Sequence, residues 1–251
     1  MEFRIVHIDS GYTYRSLKEA GGEKNMYQRN VKKDFSGFEQ FYDERQSTIL
    51  KSSPGLFDAK DRSFQLALMR NRFGMLPHHK YLDYGCATLA AGRHIIEYLE
   101  AGGYTGMDVS EEAIRLAQDR IKNPPLREKN PRLFHIKDGV FPELESSYFD
   151  YAVAFSVFTH CPPKLVLNIM KYIYRLLAPG GLFVASISVA EKDILMQGYH
   201  NFYYPKEFFY FVAGKMNIDL SIVEDETSLD ARAKNPQLIG DPMNVLIRKP
   251  A

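Results

Sequence analysis

Tyr81-Leu82-Asp83-Tyr84-Gly85-Cys86-Ala87 is an apolar run that meets an acid and breaks at a glycine, and Tyr104-Thr105-Gly106-Met107-Asp108 repeats the apolar-to-acid pattern. Short runs of this kind, set apart by stretches with helical spacing, read as successive strands of a parallel sheet. Working outward, Arg132 to Lys137, Phe149 to Phe155 and Gly181 to Val189 supply a third, fourth and fifth run. Helical stretches lie between them at 90–100, 110–122 and 162–177. In the last, Leu165, Ile169, Ile173 and Leu176 keep the spacing of one buried face, and Pro179-Gly180-Gly181 stops it. Alternation at this period means βαβ units, hence an α/β fold with a doubly wound sheet. The sheet is expected to be mostly parallel, with an antiparallel strand at its C-terminal end.

The flanks differ in character. Residues 1–75 are expected to form an N-terminal helical extension or cap, and residues 76–251 the main domain. Phe35 to Ile49 reads as a helix with Phe38, Phe41, Tyr42 and Arg45 near one face. Residues 58–73 read as another, with Phe64, Leu68 and Phe73 on one side, closed by Gly74 and Pro77. After the fifth strand, Pro205 to Met216 reads as a helix, and Ile218 to Val223 and Met243 to Ile247 as strands. The polar segment between those strands is longer than an ordinary loop.

Bulk properties set limits. A formal net charge of +1 gives no field that would draw the chain to nucleic acid or anionic lipid. No apolar run approaches a membrane span, and Met1-Glu2-Phe3-Arg4 lacks a signal-peptide core, so a cytoplasmic chain without a membrane partner is expected. Cys86 and Cys161 are too few for a disulfide scaffold and lack metal-ligand spacing.

In open parallel sheets the ligand lies beyond the carboxyl ends of the strands, which directs attention to the loop that opens at Gly85. Asp108 comes 23 positions after Gly85, the distance at which an acid at a strand end accepts from ribose hydroxyls. Its alternative use is to cap the following helix, but Ser110, followed by Glu111 and Glu112, is better placed for that. A dinucleotide cradle needs G-x-G-x-x-G, and here Ala87 and Leu89 follow Gly85. S-Adenosylmethionine carries no phosphate and needs no such cradle.

These motifs, taken in order, resemble those of class I S-adenosylmethionine-dependent methyltransferases. Leu82-Asp83-Tyr84-Gly85-Cys86-Ala87 is similar to their first motif, L-D-x-G-C-G, and Tyr104 to Ser110 to their acid-ended second strand. Asp138-Gly139, Tyr148-Phe149-Asp150 with Ala152-Val153-Ala154, and Leu177-Ala178-Pro179-Gly180-Gly181 resemble the later ones. The resemblance covers residues 80–190 and implies a Rossmann-like fold with S-adenosyl-L-methionine as cofactor. It implies that Asp83 lies by the cofactor's cationic amino end, that Gly85 and Ala87 line its methionine tail, and that Asp138 accepts from the adenine amino group. Cys86, Val109, Gly139 and Phe155 complete the cofactor-binding set. Asp138-Gly139 reads equally as a turn-forming pair. Ala87 and Leu89 depart from the family, which has glycine at those places.

The acceptor side is less defined. His160, in Ser156-Val157-Phe158-Thr159-His160, follows the fourth strand, and histidine as a residue type can take up a proton near neutral pH, so it is the candidate general base; capping the helix near Pro162 and packing against the cofactor are its other uses. The string resembles one in bacterial methyltransferases acting on glycans and small molecules, which implies a small-molecule or saccharide acceptor and transfer to oxygen, as in polysaccharide biosynthesis. Ala154, Phe155 and Ser156 stand where metal-dependent relatives keep acidic ligands, so no metal is expected. Tyr42, Tyr203 and Tyr204 are candidate acceptor-binding aromatics, with core packing the other reading of the Tyr199-to-Tyr204 stretch. Arg93 and His94 are open to either use. Arg115, Arg120, Lys122, Arg127, Lys129 and Arg132 read as a solvated surface rather than a nucleic-acid contact. Two alternatives stand beside this reading: a methyltransferase-like binding protein without catalysis, and a nicotinamide-dependent oxidoreductase.

Overall fold

Tyr81–Tyr84 and Tyr104–Asp108 are strands buried along their whole length, as befits central strands covered on both faces. The protein is seen in a computed structural model that describes residues 3–8, 38–52, 62–198, 201–224 and 241–251. Outside these residues lie the first turn of the helix expected from Phe35, residues 58–61 of the second, Tyr199, His200, and most of the polar segment before the last strand. In chain order the elements are β1 (Ile5–Ile8), α1 (Phe38–Ser52), α2 (Phe64–Asn71), β2 (Tyr81–Tyr84), α3 (Gly92–Tyr98), β3 (Tyr104–Asp108), α4 (Glu111–Ile121) and α5 (Pro124–Arg127). There follow β4 (Arg132–His135), β5 (Phe149–Ala154), a 3-10 turn (Phe158–His160), α6 (Pro163–Leu176), β6 (Leu177–Val189), β7 (Ile194–Gln197), β8 (Asn201–Tyr203), α7 (Lys206–Met216), β9 (Leu220–Glu224) and β10 (Asp241–Arg248).

Seven strands form a mixed, mostly parallel sheet in the order β4-β3-β2-β5-β6-β10-β9. Strand β2 pairs parallel with β3 (Asp83 opposite Gly106) and with β5 (Asp83 opposite Val153), while β4 pairs parallel with β3 (His135 opposite Asp108). Strands β9 and β10 are antiparallel. The chain adds strands to one side of β2, then returns to place β5 on the other, so the carboxyl end of β2 is a topological switch point.

The chain divides into two compact units: Met1–Phe35 with Phe155–Lys171 and Phe183–Arg248, and Ser36–Ala154 with Tyr172–Leu182 and Lys249–Ala251. In the second unit, α2 ends as its sequence foretells. Gly74 is left-handed (φ +73°) and donates to the Arg70 carbonyl, while Met75 donates to that of Met69, so the chain leaves the helix with these end carbonyls bonded. The Pro179-Gly180-Gly181 break is read here as the head of β6, which starts four residues before the expected Gly181. A Cβ at Gly181 would sit 2.8 Å from the Ala178 carbonyl oxygen and 2.9 Å from that of Phe149. Those atoms belong to the backbone and yield only at a cost, so Gly181→Ala is expected to destabilise by about 1–3 kcal/mol, read as a lower thermal midpoint. An unchanged midpoint would mean that the two strands part without strain.

The first unit holds a three-stranded sheet, β1-β7-β8, absent from the sequence reading. Its β1 and β7 pair parallel, Ile5 opposite Ile194. Strands of three or four residues are too short for apolar alternation to separate them from loops. The unit's core is aromatic: Phe158 packs on Phe183 and Phe209 (centroids 5.9 and 6.1 Å), and Tyr204 on Phe208 (4.8 Å). Along α6 the buried positions are Val166, Ile169, Met170, Tyr172, Ile173 and Leu176; Leu165 lies beside that stripe, half-buried.

Candidate cofactor site

The loop after β2 is built on left-handed backbone. Gly85 (φ +82°), Ala87 (φ +46°) and Leu89 (φ +62°) all take this conformation. Glycine adopts it freely, whereas an L-side chain pays about 1–2 kcal/mol. Leu89 offsets that by full burial, worth about 1.5–3 kcal/mol. The two departures from the family's glycines therefore keep the glycine-like backbone path. Gly85 and Cys86 both donate their amides to the Met107 carbonyl (2.7 and 3.1 Å), tying the loop to the end of β3.

Asp108 closes that tie. Its Oδ2 accepts from the Ala87 amide at 2.9 Å and its Oδ1 from the Ser110 amide at 2.8 Å. Ser110 is the N-cap of α4, its hydroxyl accepting from the Ala113 amide at 3.3 Å. Asp108 is therefore released from that task. Each carboxylate oxygen keeps a lone pair for a further donor. Burial raises the Asp108 pKa above the ordinary carboxylate value, against the two amide bonds that lower it. Asp83 is also buried, and its Oδ2 accepts a 2.6 Å hydrogen bond from the Tyr104 hydroxyl. Burial lifts its pKa to about 6; the Tyr104 bond opposes the rise and the charge of Asp108 adds to it. Among the described residues, no Lys or Arg is bonded to either carboxylate.

Two contributors were missed in the sequence. Asp43, on α1, accepts from the Glu111 amide (3.1 Å) at the first turn of α4, so the N-terminal helix docks beside Asp108. His135 of β4 lies opposite Asp108, its Nε2 3.1 Å from the Val109 carbonyl oxygen. Asp43 precedes its partner by 68 residues, and no local pattern announces such a pairing. Tyr42, its neighbour, is half-buried and stacks on Phe38 at 6.3 Å.

The remaining candidates fall as follows. Asp138 (φ +54°) and Gly139 (φ +70°) occupy the centre of a turn closed by the Val140 amide on the Lys137 carbonyl (2.9 Å), and Asp138 is exposed. Two successive positive φ values are the pattern of a type I′ turn, which accounts for the Asp-Gly pair by itself. Arg93 Nε donates to His94 Nε2 (3.3 Å). Arg115 is paired within α4 to Glu112 and Asp119, and Lys122 to Asp119.

Phe155, His160, Tyr203 and Tyr204 belong to the first unit. Phe155 and His160 are half-buried, and the His160 amide donates to the Val157 carbonyl at 2.8 Å. Tyr203 is mostly buried and donates to Gln197 Oε1 (3.2 Å). Tyr204 lies wholly in the core, its hydroxyl on the Cys161 carbonyl.

Buried acids with spare lone pairs, on a loop too poor in glycine to cradle a pyrophosphate, fit a ligand that offers ribose hydroxyls and an ammonium. The carboxyl end of β2 is the switch point of a doubly wound sheet, where a Rossmann-like fold binds its nucleoside ligand. Residues 82–183 match the family model described as a methyltransferase domain. No curated protein matches the chain. Among solved structures, a S-adenosylmethionine-dependent methyltransferase from Leishmania major is similar at 15% identity, covering 99% of this chain and 98% of that one with a TM-score of 0.62. Magnesium protoporphyrin IX methyltransferase from Synechocystis PCC 6803 with bound cofactor is similar at 10% identity, over 84% and 96% of the chains, TM-score 0.60. Phosphoethanolamine N-methyltransferase 2 of Haemonchus contortus matches at 16% identity, over 85% and 60%, TM-score 0.60. Residues 82–183 thus carry a methyltransferase domain, in a fold shared with S-adenosylmethionine-dependent methyltransferases, and S-adenosyl-L-methionine is its cofactor. Among the described residues no helix is long and apolar enough to cross a membrane.

Proposed function

We propose that the protein transfers the methyl group to an oxygen of a small-molecule or saccharide acceptor, a hydroxyl or phosphoryl oxygen of a glycan or its precursor, without a metal ion. Bound S-adenosylmethionine supplies an electrophilic methyl group on a sulfonium; the chain's residues hold it and manage the acceptor's proton. Asp108 receives the ribose hydroxyls and Asp83 the ammonium, while Asp138 is the adenine-side partner implied by its motif.

His160 carries the proposal for oxygen. A hydroxyl gains from a base that removes its proton during attack, and an imidazole titrating near neutrality suits that role. The histidine ends a 3-10 turn whose first residue, Phe158, is buried, and the Tyr204 hydroxyl holds the carbonyl of the next residue, Cys161. A base on so anchored a turn keeps its place. The residues after β5, Phe155 and Ser156, offer no carboxylate for a hard cation. The similar structures include both a phosphoethanolamine N-methyltransferase and a porphyrin methyltransferase, so likeness of fold does not choose the acceptor.

The test is release of S-adenosylhomocysteine over a panel of saccharide hydroxyls, sugar phosphates and amines. His160→Ala is expected to lower turnover on the best hydroxyl by about a hundredfold, with S-adenosylhomocysteine affinity little changed. Wild-type turnover should show an acid limb that the variant lacks. Preference for amines, with a fully active variant, would overturn the proposal.

A further inference from the structure

The fold places a tyrosine where it controls the acid of the first motif. Tyr104 opens β3, one strand away from Asp83 on β2, and its hydroxyl reaches the Asp83 carboxylate at 2.6 Å with both groups buried. The hydroxyl is confined. Tyr81 stacks on the Tyr104 ring (6.0 Å), and Gly92, in the first turn of α3, faces the hydroxyl so closely that any Cβ there would collide with it. No other hydrogen bond to the Asp83 carboxylate is present among the described residues. We propose that Tyr104 is the positioning residue for cofactor recognition: its hydroxyl fixes the Asp83 carboxylate and holds it ionised for the cofactor's ammonium, and Gly92 leaves room for it to do so.

The surroundings make one donor matter. The groups that face Asp83 are Tyr81, Tyr104, Cys86 and Asp108, none of them a cation. Burial and the charge of Asp108 both favour a protonated Asp83, and the Tyr104 bond is the opposing influence. A protonated Asp83 presents no charge to an ammonium. Removal of the Tyr104 hydroxyl therefore raises the Asp83 pKa, and affinity for an ammonium-bearing ligand, present above that pKa, starts to fall at a higher pH. Sequence alone gives Tyr104 only as the first residue of an apolar run.

The inference rests on Asp83 meeting the amino end, so the test separates the two. Calorimetry compares S-adenosylhomocysteine, which carries the amino-acid end, with 5′-methylthioadenosine, which lacks it. Tyr104→Phe is expected to weaken S-adenosylhomocysteine about tenfold or more at neutral pH, to move the acid limb of its binding to higher pH, and to leave methylthioadenosine within about twofold. Saturating cofactor should restore kcat, so the loss appears in KM. Gly92→Ala, which displaces the hydroxyl without removing it, should give a weaker copy of the same pattern. Equal losses for both ligands would overturn the proposal and leave Tyr104 a packing residue, as would unchanged S-adenosylhomocysteine binding at every pH. Asp83→Asn serves as the control: if it binds S-adenosylhomocysteine as the wild type does, the assignment of Asp83 itself fails, whatever Tyr104 does.

Discussion

Asp108→Ala is expected to weaken S-adenosylhomocysteine binding by about a thousandfold and to lower the thermal midpoint as well. The first effect follows from the ribose. On the proposed role of Asp108, two adjacent hydroxyls lose a charged acceptor in a buried setting, where hydrogen bonds to ions are worth roughly twice the neutral kind. The second effect is invisible in sequence, where the alanine would touch only the ligand. In the structure both carboxylate oxygens already hold backbone amides, Ala87 at 2.9 Å and Ser110 at 2.8 Å. Each orphaned amide costs about 1–3 kcal/mol, partly returned because a buried charge is removed with it. Ala87 suffers most, since its left-handed backbone (φ +46°) is held in place by that bond. Calorimetry and a melting curve read the two separately. Wild-type affinity would remove Asp108 from the ribose, and a wild-type midpoint would remove it from the architecture of the loop.

That division shows where the sequence was legible. The apolar runs of β2, β3 and β5 each give way to a helical stretch, so regular alternation rather than length placed the sheet and its switch point. The place of Asp108 at the end of β3 followed from its run, and the Ser110 cap from local chemistry; both depend on residues within one turn or one βα unit. The parts that stayed hidden are those set by distant partners. The β1 strand exists because Ile5 meets Ile194, and Asp43 matters because α1 reaches the start of α4. Neither leaves a mark in its own neighbourhood. Tyr204 and Asp138 illustrate the reverse difficulty. An aromatic-rich stretch and an Asp-Gly pair each have two physical uses: burial places Tyr204 in the core, whereas Asp138 takes the turn backbone with its side chain exposed.

Asp83→Asn should separate stability from function in the opposite sense to Asp108→Ala. The folded-state pKa of Asp83 stands at about 6, above its ordinary 3.8, because burial disfavours the charge. The folded protein therefore holds the Asp83 proton more tightly than the unfolded chain does. Stability falls as pH rises between those two values and stays lower above them; the ionised group costs on the order of 3 kcal/mol at neutral pH. Asparagine keeps a carbonyl oxygen for the Tyr104 hydroxyl and carries no charge. Part of the gain is lost to the new amide group, which needs an acceptor of its own. A midpoint a few degrees higher at neutral pH is expected, with the advantage gone near pH 4. Affinity for S-adenosylhomocysteine should fall by about a thousandfold, since an ammonium buried without its counter-charge is costly. On the proposed role of Asp83, the ionised carboxylate is held against stability until the ammonium binds, so cofactor should raise the wild-type midpoint far more than that of the variant. A lower midpoint with intact S-adenosylhomocysteine affinity would make Asp83 an anchor of the fold and place the ammonium elsewhere.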